Sequence, residues 1–158
     1  MAHQTNERPA LLAEYLEATY EIEVVLEELS ESELEARESP DEWSVRQVVH
    51  HLADVEVGDA MRLRQMLAHD SPLIVAYDED RFATRLHYDR PIESSVATFF
   101  ALRTSNGALL ERITEADWSR PGRHEEHDRY TVEILVRRSI DHDRLHLGQI
   151  RRALDSST

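Results

Sequence analysis

The stretch from Thr131 to Leu154, TVEILVRRSIDHDRLHLGQIRRAL, determines how the rest of the chain is interpreted. Its mostly apolar residues recur at intervals of three and four, which places them on one face of a helix. That face consists of Val132, Leu135, Val136, Ser139, His142, His146, Gln149, Ile150 and Ala153. The pattern predicts a helix that begins around Tyr130–Thr131, ends near Leu154 and turns two histidines towards the interior.

Three earlier segments show the same helical spacing. The first is expected from about Pro9 to Leu29, because proline suits a first helical turn. The second is expected to begin at Ser44 and to end near His69–Ser71, since Ser44 and Gln47 have the spacing of a capping box. The third is expected from Pro91 to about Thr114. The inward face predicted for the first helix consists of Leu12, Tyr15, Leu16, Thr19, Ile22 and Leu26.

Four long amphipathic helices without an alternating β pattern predict an all-α protein, a four-helix bundle. The chain of 158 residues is expected to be one domain with a core from about residue 9 to 155. The connection from Asp70 to Arg90, between helices 2 and 3, is long for a bundle and is expected to contain a short helix across one end. The acidic stretch Ser30–Pro40 is interpreted as a loop.

Composition excludes several classes of partner and ligand. The net charge of −14 repels nucleic-acid phosphates and anionic membranes, so neither is an expected partner. The sequence contains no apolar run of ~18 residues and no apolar leader segment, which makes a cytoplasmic location the expectation. With no cysteine, any metal ion has to be held by His, Asp or Glu.

Two of the nine histidines, His142 and His146, lie one helical turn apart on the inward face. Such a pair can reach one ion, and buried imidazoles need polar partners that a cation would supply. A third ligand has to come from another helix, where His50 and His51 compete. The neighbours of His51 one turn away include Val48 and Val55 of the apolar face, whereas those of His50 are mostly polar. We therefore predict that His51 faces inward and that His50 is a surface residue or a supporting one.

The two histidine segments together resemble a known family. Trp43–Asp54, WSVRQVVHHLAD, is similar to the W-S-x-x-x-x-x-x-H-L-A-D segment of the DinB-like superfamily, and His142–Ile150 matches its H-x-x-x-H-x-x-Q-I pattern. The loop Tyr77–Asp80 is also similar to that of many members. The resemblance spans residues 9–155. It implies a four-helix bundle, frequent homodimers, and a divalent metal ion such as Zn²⁺ or Ni²⁺ on His51, His142 and His146.

A site with three histidine ligands leaves a coordination position for water or substrate, as catalytic zinc sites do. We therefore expect an enzyme acting on a small-molecule substrate. The resemblance includes S-transferases and isomerases that use a low-molecular-weight thiol, and this is the first functional expectation. A metal-dependent hydrolase is the second, and a non-catalytic bundle that binds metal and a small molecule is the third. The homodimer is further motivated by apolar residues outside the inward face of the third helix, namely Phe100, Leu102 and Leu109.

Several other polar residues have more than one interpretation. Asp54, near His51 in the predicted second helix, is a fourth ligand, a general base or a surface charge, and we select it as the catalytic candidate. Asp143 is expected to support an imidazole through a hydrogen bond. His124 and His127 lie in an acidic connecting stretch, and we expect them at the surface and away from the metal site.

Overall fold

The computed structural model describes residues 7–27, 29–127 and 129–156, and these contain six α-helices and three short strands. The order is α1 (Glu7–Leu26), α2 (Glu31–Leu34), α3 (Val45–Ala68), β1 (Leu73–Ile74), α4 (Glu79–Arg85), α5 (Glu93–Leu110), β2 (Pro121–His124), β3 (Tyr130–Thr131) and α6 (Val132–Ser156). A single 3₁₀ turn, Asp117–Ser119, precedes β2. Helix α6 thus confirms the helix predicted from Tyr130–Thr131 to Leu154, with both ends within two residues of the expected positions.

The four long helices α1, α3, α5 and α6 form a bundle, which confirms the predicted fold class. Helix α3 packs against α5 and α6, and α1 packs against the same two helices. The first two long helices of the chain therefore lie diagonally across the bundle from each other. This arrangement places α3 beside α6, the two helices that carry the predicted metal ligands.

Helix α3 begins where the sequence predicts. The Ser44 side chain accepts a hydrogen bond from the Gln47 backbone N–H, and the Gln47 side chain accepts one from the Ser44 backbone N–H at 3.0 Å. This reciprocal pair satisfies two N–H groups that a helix start leaves free. The cap fixes the start of α3 and with it the direction in which His51, just under two turns later, projects.

The core consists of two apolar clusters separated by a polar layer. One cluster contains Leu63 and Met66 of α3 with Leu135 of α6, and the other contains Val48 of α3 with Ile150 of α6. The long helices place buried polar side chains between these clusters. They include Glu56 of α3, Arg103 and Asn106 of α5, and Asp143 of α6. His51 and the two histidines of α6 lie in the same middle section of the bundle.

The structure corrects two expectations about secondary structure and confirms a third. Ser30–Pro40 is not entirely a loop, since Ser30 and Glu33 cap the short helix α2 with their own capping box. The chain also forms a small sheet in which β1 pairs with β2 in parallel and β2 with β3 antiparallel. Strands of two to four residues are too short to display an alternating pattern, so they could not be predicted from the sequence. The short helix expected in the long connection is present as α4 and packs against α3.

The inward face predicted for α1 was wrong in part. The buried residues are Leu11, Tyr15, Ala18 and Ile22, whereas Leu16 is 39% exposed. Apolar residues occur on several sides of this helix, so spacing alone does not identify the buried face.

The helix boundaries also differ at some ends. Helix α1 begins two residues before Pro9 and ends at Leu26, and α5 extends from Glu93 to Leu110 rather than from Pro91 to Thr114. Within the described residues, no helix is both long and apolar enough to cross a bilayer.

Candidate metal centre

Three histidines from two helices converge in the middle of the bundle. His51 of α3 and His142 and His146 of α6 each offer a ring nitrogen, and these three atoms lie within 4.8 Å of one another. The ring centroids are 4.4 to 4.9 Å apart. Two nitrogens bound to one zinc ion at ~2.0–2.1 Å lie about 3.3 Å apart in tetrahedral geometry, so these rings need only small movements to share an ion.

The Nε2 atoms of His51 and His142 face each other, and Gln149 orients the ring of His146. Nε2 of His51 and Nε2 of His142 are 2.9 Å apart, so only one of these two nitrogens carries a hydrogen. Nδ1 of His146 is 2.8 Å from Oε1 of Gln149 and donates to it, which leaves Nε2 of that ring as the free acceptor. A carbonyl that orients a histidine ring in this way is the usual support of a metal-binding imidazole.

Burial holds the three imidazoles in the neutral form that binds metals. Desolvation, together with the proximity of His146, lowers the pKa of His51 to about 3 and that of His142 to about 2. Desolvation also lowers the pKa of His146, although the hydrogen bond to Gln149 acts in the opposite direction. Trp43 packs its indole edge against His51, with ring centroids 4.9 Å apart, and contributes to this dry surrounding.

These depressed pKa values predict that the metal-free protein loses stability on acidification. The unfolded chain takes up a proton on His51 below pH ~6.5, whereas the folded chain does not until about pH 3, so stability falls as the pH drops through this window. Between pH 7 and pH 5 the loss from His51 alone is about 2 kcal/mol. We expect urea unfolding with chelator present to show this loss in the wild type and a smaller one in His51→Leu. Identical pH profiles for the two proteins would contradict it.

A cavity of about 380 Å³ adjoins the three histidines on the side of His142. Its other polar lining includes Asp59, Arg62, Tyr77 and Tyr130. Asp59 accepts hydrogen bonds from Ser139 at 3.0 Å and from Arg62 at 3.1 Å. Burial and the nearby Glu56 raise the pKa of Asp59, and the bonds from Arg62 and Ser139 only partly offset this effect. A small polar molecule has room here beside a carboxyl group that holds a proton more readily than usual.

His50 is buried, which corrects the prediction of a surface position. Its Nδ1 lies 2.7 Å from the Ser95 hydroxyl, and its Nε2 lies 2.9 Å from the Arg90 carbonyl oxygen. The segment that begins α5 supplies both partners, and neighbours within α3 alone gave no sign of them. His50 therefore ties α3 to α5 beside the site, while His51 is the one that joins the histidines of α6.

The structure places the catalytic candidate Asp54 outside the cluster of ring nitrogens. Its carboxylate accepts a hydrogen bond from the Tyr88 hydroxyl at 2.7 Å, and it is not among the residues that line the cavity. Asp143 was expected to bond an imidazole, but it instead pairs with Arg103 at an N–O distance of 2.6 Å. A buried arginine on α5 competes for this carboxylate, and the spacing of residues within α6 cannot reveal it.

The expectation that His124 and His127 lie away from the site was wrong. Both are partly buried, and both line the cavity that His142 also lines. The sheet accounts for this position, because β1 pairs with β2, whose end lines the cavity together with Asp59 of α3 and His142 of α6.

The buried network around Arg103 was not found from the sequence. Arg103 of α5 contacts Glu56 of α3 at 2.7 Å and Asp143 of α6 at 2.6 Å, and Asn106 donates to Glu56 at 2.6 Å. The sequence signal that could have revealed it is that Glu56, Arg103 and Asp143 fall on helix faces whose other residues are mostly apolar. This network fixes α3 and α6 relative to α5, and hence the spacing between His51 and the histidines of α6.

Comparison with known proteins agrees with this arrangement. A family model described as the DinB superfamily matches residues 14–150. A protein of Bacillus licheniformis named "putative metal-dependent hydrolase" is 34% identical over 78% of this chain and 72% of its own length. One of Oceanobacillus iheyensis with the same description is 32% identical over 68% of this chain and 63% of its own length.

A solved structure matches nearly the whole fold. YfiT from Bacillus subtilis, described as "a probable metal-dependent hydrolase with an unusual four-helix bundle topology", superposes with a TM-score of 0.88. The match covers 99% of this chain and 91% of YfiT at 23% sequence identity. At this identity the likeness establishes the fold alone.

Proposed function

This chain belongs to the DinB superfamily, and from that membership we propose that it is a divalent-metal-dependent hydrolase of a small molecule. The metal ion is held by His51, His142 and His146. The observation that carries the proposal is the convergence of three neutral ring nitrogens within 4.8 Å beside a polar cavity. The description of the relatives as metal-dependent hydrolases supports the choice of hydrolysis.

The donor set fits a borderline transition metal. Imidazole nitrogens suit Zn²⁺ and Ni²⁺, and three protein ligands leave a position for water or substrate. When bound, such an ion supplies a water of lowered pKa and stabilises negative charge on oxygen. Gln149 holds the ring of His146 in the tautomer that presents Nε2 to the ion.

The residues of the cavity bind the substrate and move protons. Arg62 and Tyr130 offer hydrogen-bond donors to a carbonyl or anionic oxygen of the substrate. Asp59 is suited to accept and return a proton, because burial raises its pKa above the usual range of a carboxylic acid. The role of Asp54 as a catalytic residue stays a prediction: its carboxylate accepts a hydrogen bond from Tyr88, and neither residue lines the cavity.

Thiol-dependent transfer and non-catalytic binding are the competing functions. Neither is favoured by a specific contact among the described residues, and both are kept as outcomes of the test below. The homodimer also stays a proposal. Phe100 and Leu109 pack against the core of their own chain. Exposed apolar side chains that could contribute to an interface include Leu16, Tyr20 and Val24 on α1. A cytoplasmic location is likewise a proposal.

The decisive experiment combines metal analysis with turnover. Untagged protein is expected to contain a divalent metal and to hydrolyse at least one member of a panel of small esters, amides and phosphate esters. Chelation and His142→Ala are both expected to remove at least ~95% of that activity, because the ion stabilises the developing charge. His69→Ala is the matched control, since His69 is exposed and is not among the residues that line the cavity.

The same panel separates the competing functions. Consumption of a low-molecular-weight thiol together with an electrophile, without hydrolysis, would assign the protein to thiol transfer. Metal binding with turnover of neither panel would make the bundle a non-catalytic binding protein. Hydrolysis that survives both chelation and His142→Ala would refute the proposed function.

A further inference from the structure

A second group of side chains able to bind a metal lines the same cavity. His124, at the end of β2, and Glu126 and His127, in the turn towards β3, each offer a donor atom within 4.8 Å of the others. The ring centroids of His124 and His127 are 4.5 Å apart. The three-histidine cluster uses none of these residues, and the two clusters come from different elements of the fold.

The two imidazoles of this group are held in place by their surroundings. The His124 ring lies 4.8 Å from the ring of Tyr130, and the His127 ring stacks on the same tyrosine at 6.2 Å. Tyr130 is itself buried, so it provides a fixed base for both rings. The register of β1 and β2 pairs Ile74 with His124, which anchors the backbone of the turn.

The charges around this group are mixed. Burial lowers the pKa of His124, the nearby His127, Arg62 and Arg138 act in the same direction, and Glu126 raises it. Arg62 is paired with Asp59, which reduces its repulsion of a cation, and Glu126 adds a negative charge to the group. Two imidazoles with one carboxylate form the donor set of known catalytic zinc sites.

We propose that His124, Glu126 and His127 form a second site for a divalent transition metal, in the cavity that His142 also lines. The site is weaker than the three-histidine cluster. The backbone N–H of Glu126 donates to Nδ1 of His124 at 3.1 Å, and this bond has to open when a metal binds, because the metal takes the place of the donor at Nδ1 or, if it binds Nε2, leaves the ring hydrogen on Nδ1. The proposal does not rest on the proposed hydrolysis, since binding at this turn needs neither the three histidines nor turnover.

The test isolates this site in the full chain. In the double variant His142→Ala/His146→Ala, only His51 remains of the first cluster, and titration calorimetry with zinc alone is expected to give one bound ion per chain. Adding His127→Ala is expected to weaken that binding at least tenfold, whereas adding His69→Ala leaves it unchanged. Zinc is also expected to shift the NMR signals of the ring nitrogens of His124 and His127 in the double variant.

The outcomes separate this proposal from the proposed function. Absence of zinc binding by the double variant, or zinc binding that is unaffected by His127→Ala, would overturn the second site. A wild type that binds two ions and a double variant that binds one support both sites. A double variant with the same stoichiometry as the wild type, together with loss on His127→Ala, would support the second site and refute the three-histidine ligands.

Discussion

Replacement of His146 by alanine is expected to weaken zinc binding at the three-histidine cluster by at least ~100-fold. Loss of a supporting residue behind a metal ligand already costs 10–100-fold in affinity, and this change removes a ligand itself. His51 and His142, whose Nε2 atoms lie 2.9 Å apart, then supply only two ligand nitrogens and cannot replace the third. Competition with a zinc indicator measures the loss, and circular dichroism is expected to show unchanged helix content because the apolar clusters carry the fold.

The background for this measurement is His127→Ala, which removes the proposed second site and leaves the first intact. In that background, zinc is expected to raise the melting temperature of the protein at pH 7 to 8. The rise should persist down to about pH 5, because burial keeps the ligand nitrogens of the folded chain neutral at that pH. Equal zinc-dependent melting temperatures with and without His146→Ala from pH 5 to 8 would show that this ring is not a ligand. His146 would then be a core residue bonded to Gln149.

Local patterns were sufficient to predict the elements that carry the first cluster. The start of α3 follows from Ser44 and Gln47, a signal contained in four residues, and the structure has both hydrogen bonds of that cap. Most of the buried face of α6 follows from helical spacing, although Ile140, Asp143 and Leu147 are buried as well and His142 and His146 are only partly buried. Because two well-defined helix faces can pack together in only a few ways, the proximity of His51 to the histidines of α6 could also be predicted from the sequence.

What the sequence did not reveal depends on contacts between distant segments. Ser95 and the Arg90 carbonyl decide that His50 is buried, and both belong to another element of the chain. The position of His124 depends on a parallel pairing with Ile74, fifty residues earlier. Such pairings leave no periodic trace in either segment, so the second cluster looked like part of a solvated acidic loop.

The largest effect on stability is expected from Arg103→Met. Arg103 is 2% exposed and pairs with Glu56 at 2.7 Å and with Asp143 at 2.6 Å. Methionine keeps much of the volume but leaves two buried carboxylates without their cation, and breaking a buried ion pair in this way costs about 3–5 kcal/mol. The guanidinium also lies 4.3 Å from the ring of Tyr15, a contact that methionine replaces only in part. Urea unfolding of the metal-free protein measures the change.

The exposed pair of Arg152 with Glu38 supplies the matched control. Its N–O distance of 2.8 Å is similar, but both side chains are more than a third exposed, and Arg152→Met is expected to cost less than about 1 kcal/mol. The triple variant Arg103→Met/Glu56→Gln/Asp143→Asn is expected to be more stable than Arg103→Met alone, because it removes the orphaned charges. If Arg103→Met cost no more than Arg152→Met, the buried network would not determine how α3, α5 and α6 pack. The spacing between His51 and His142 would then have to be set by the apolar clusters alone.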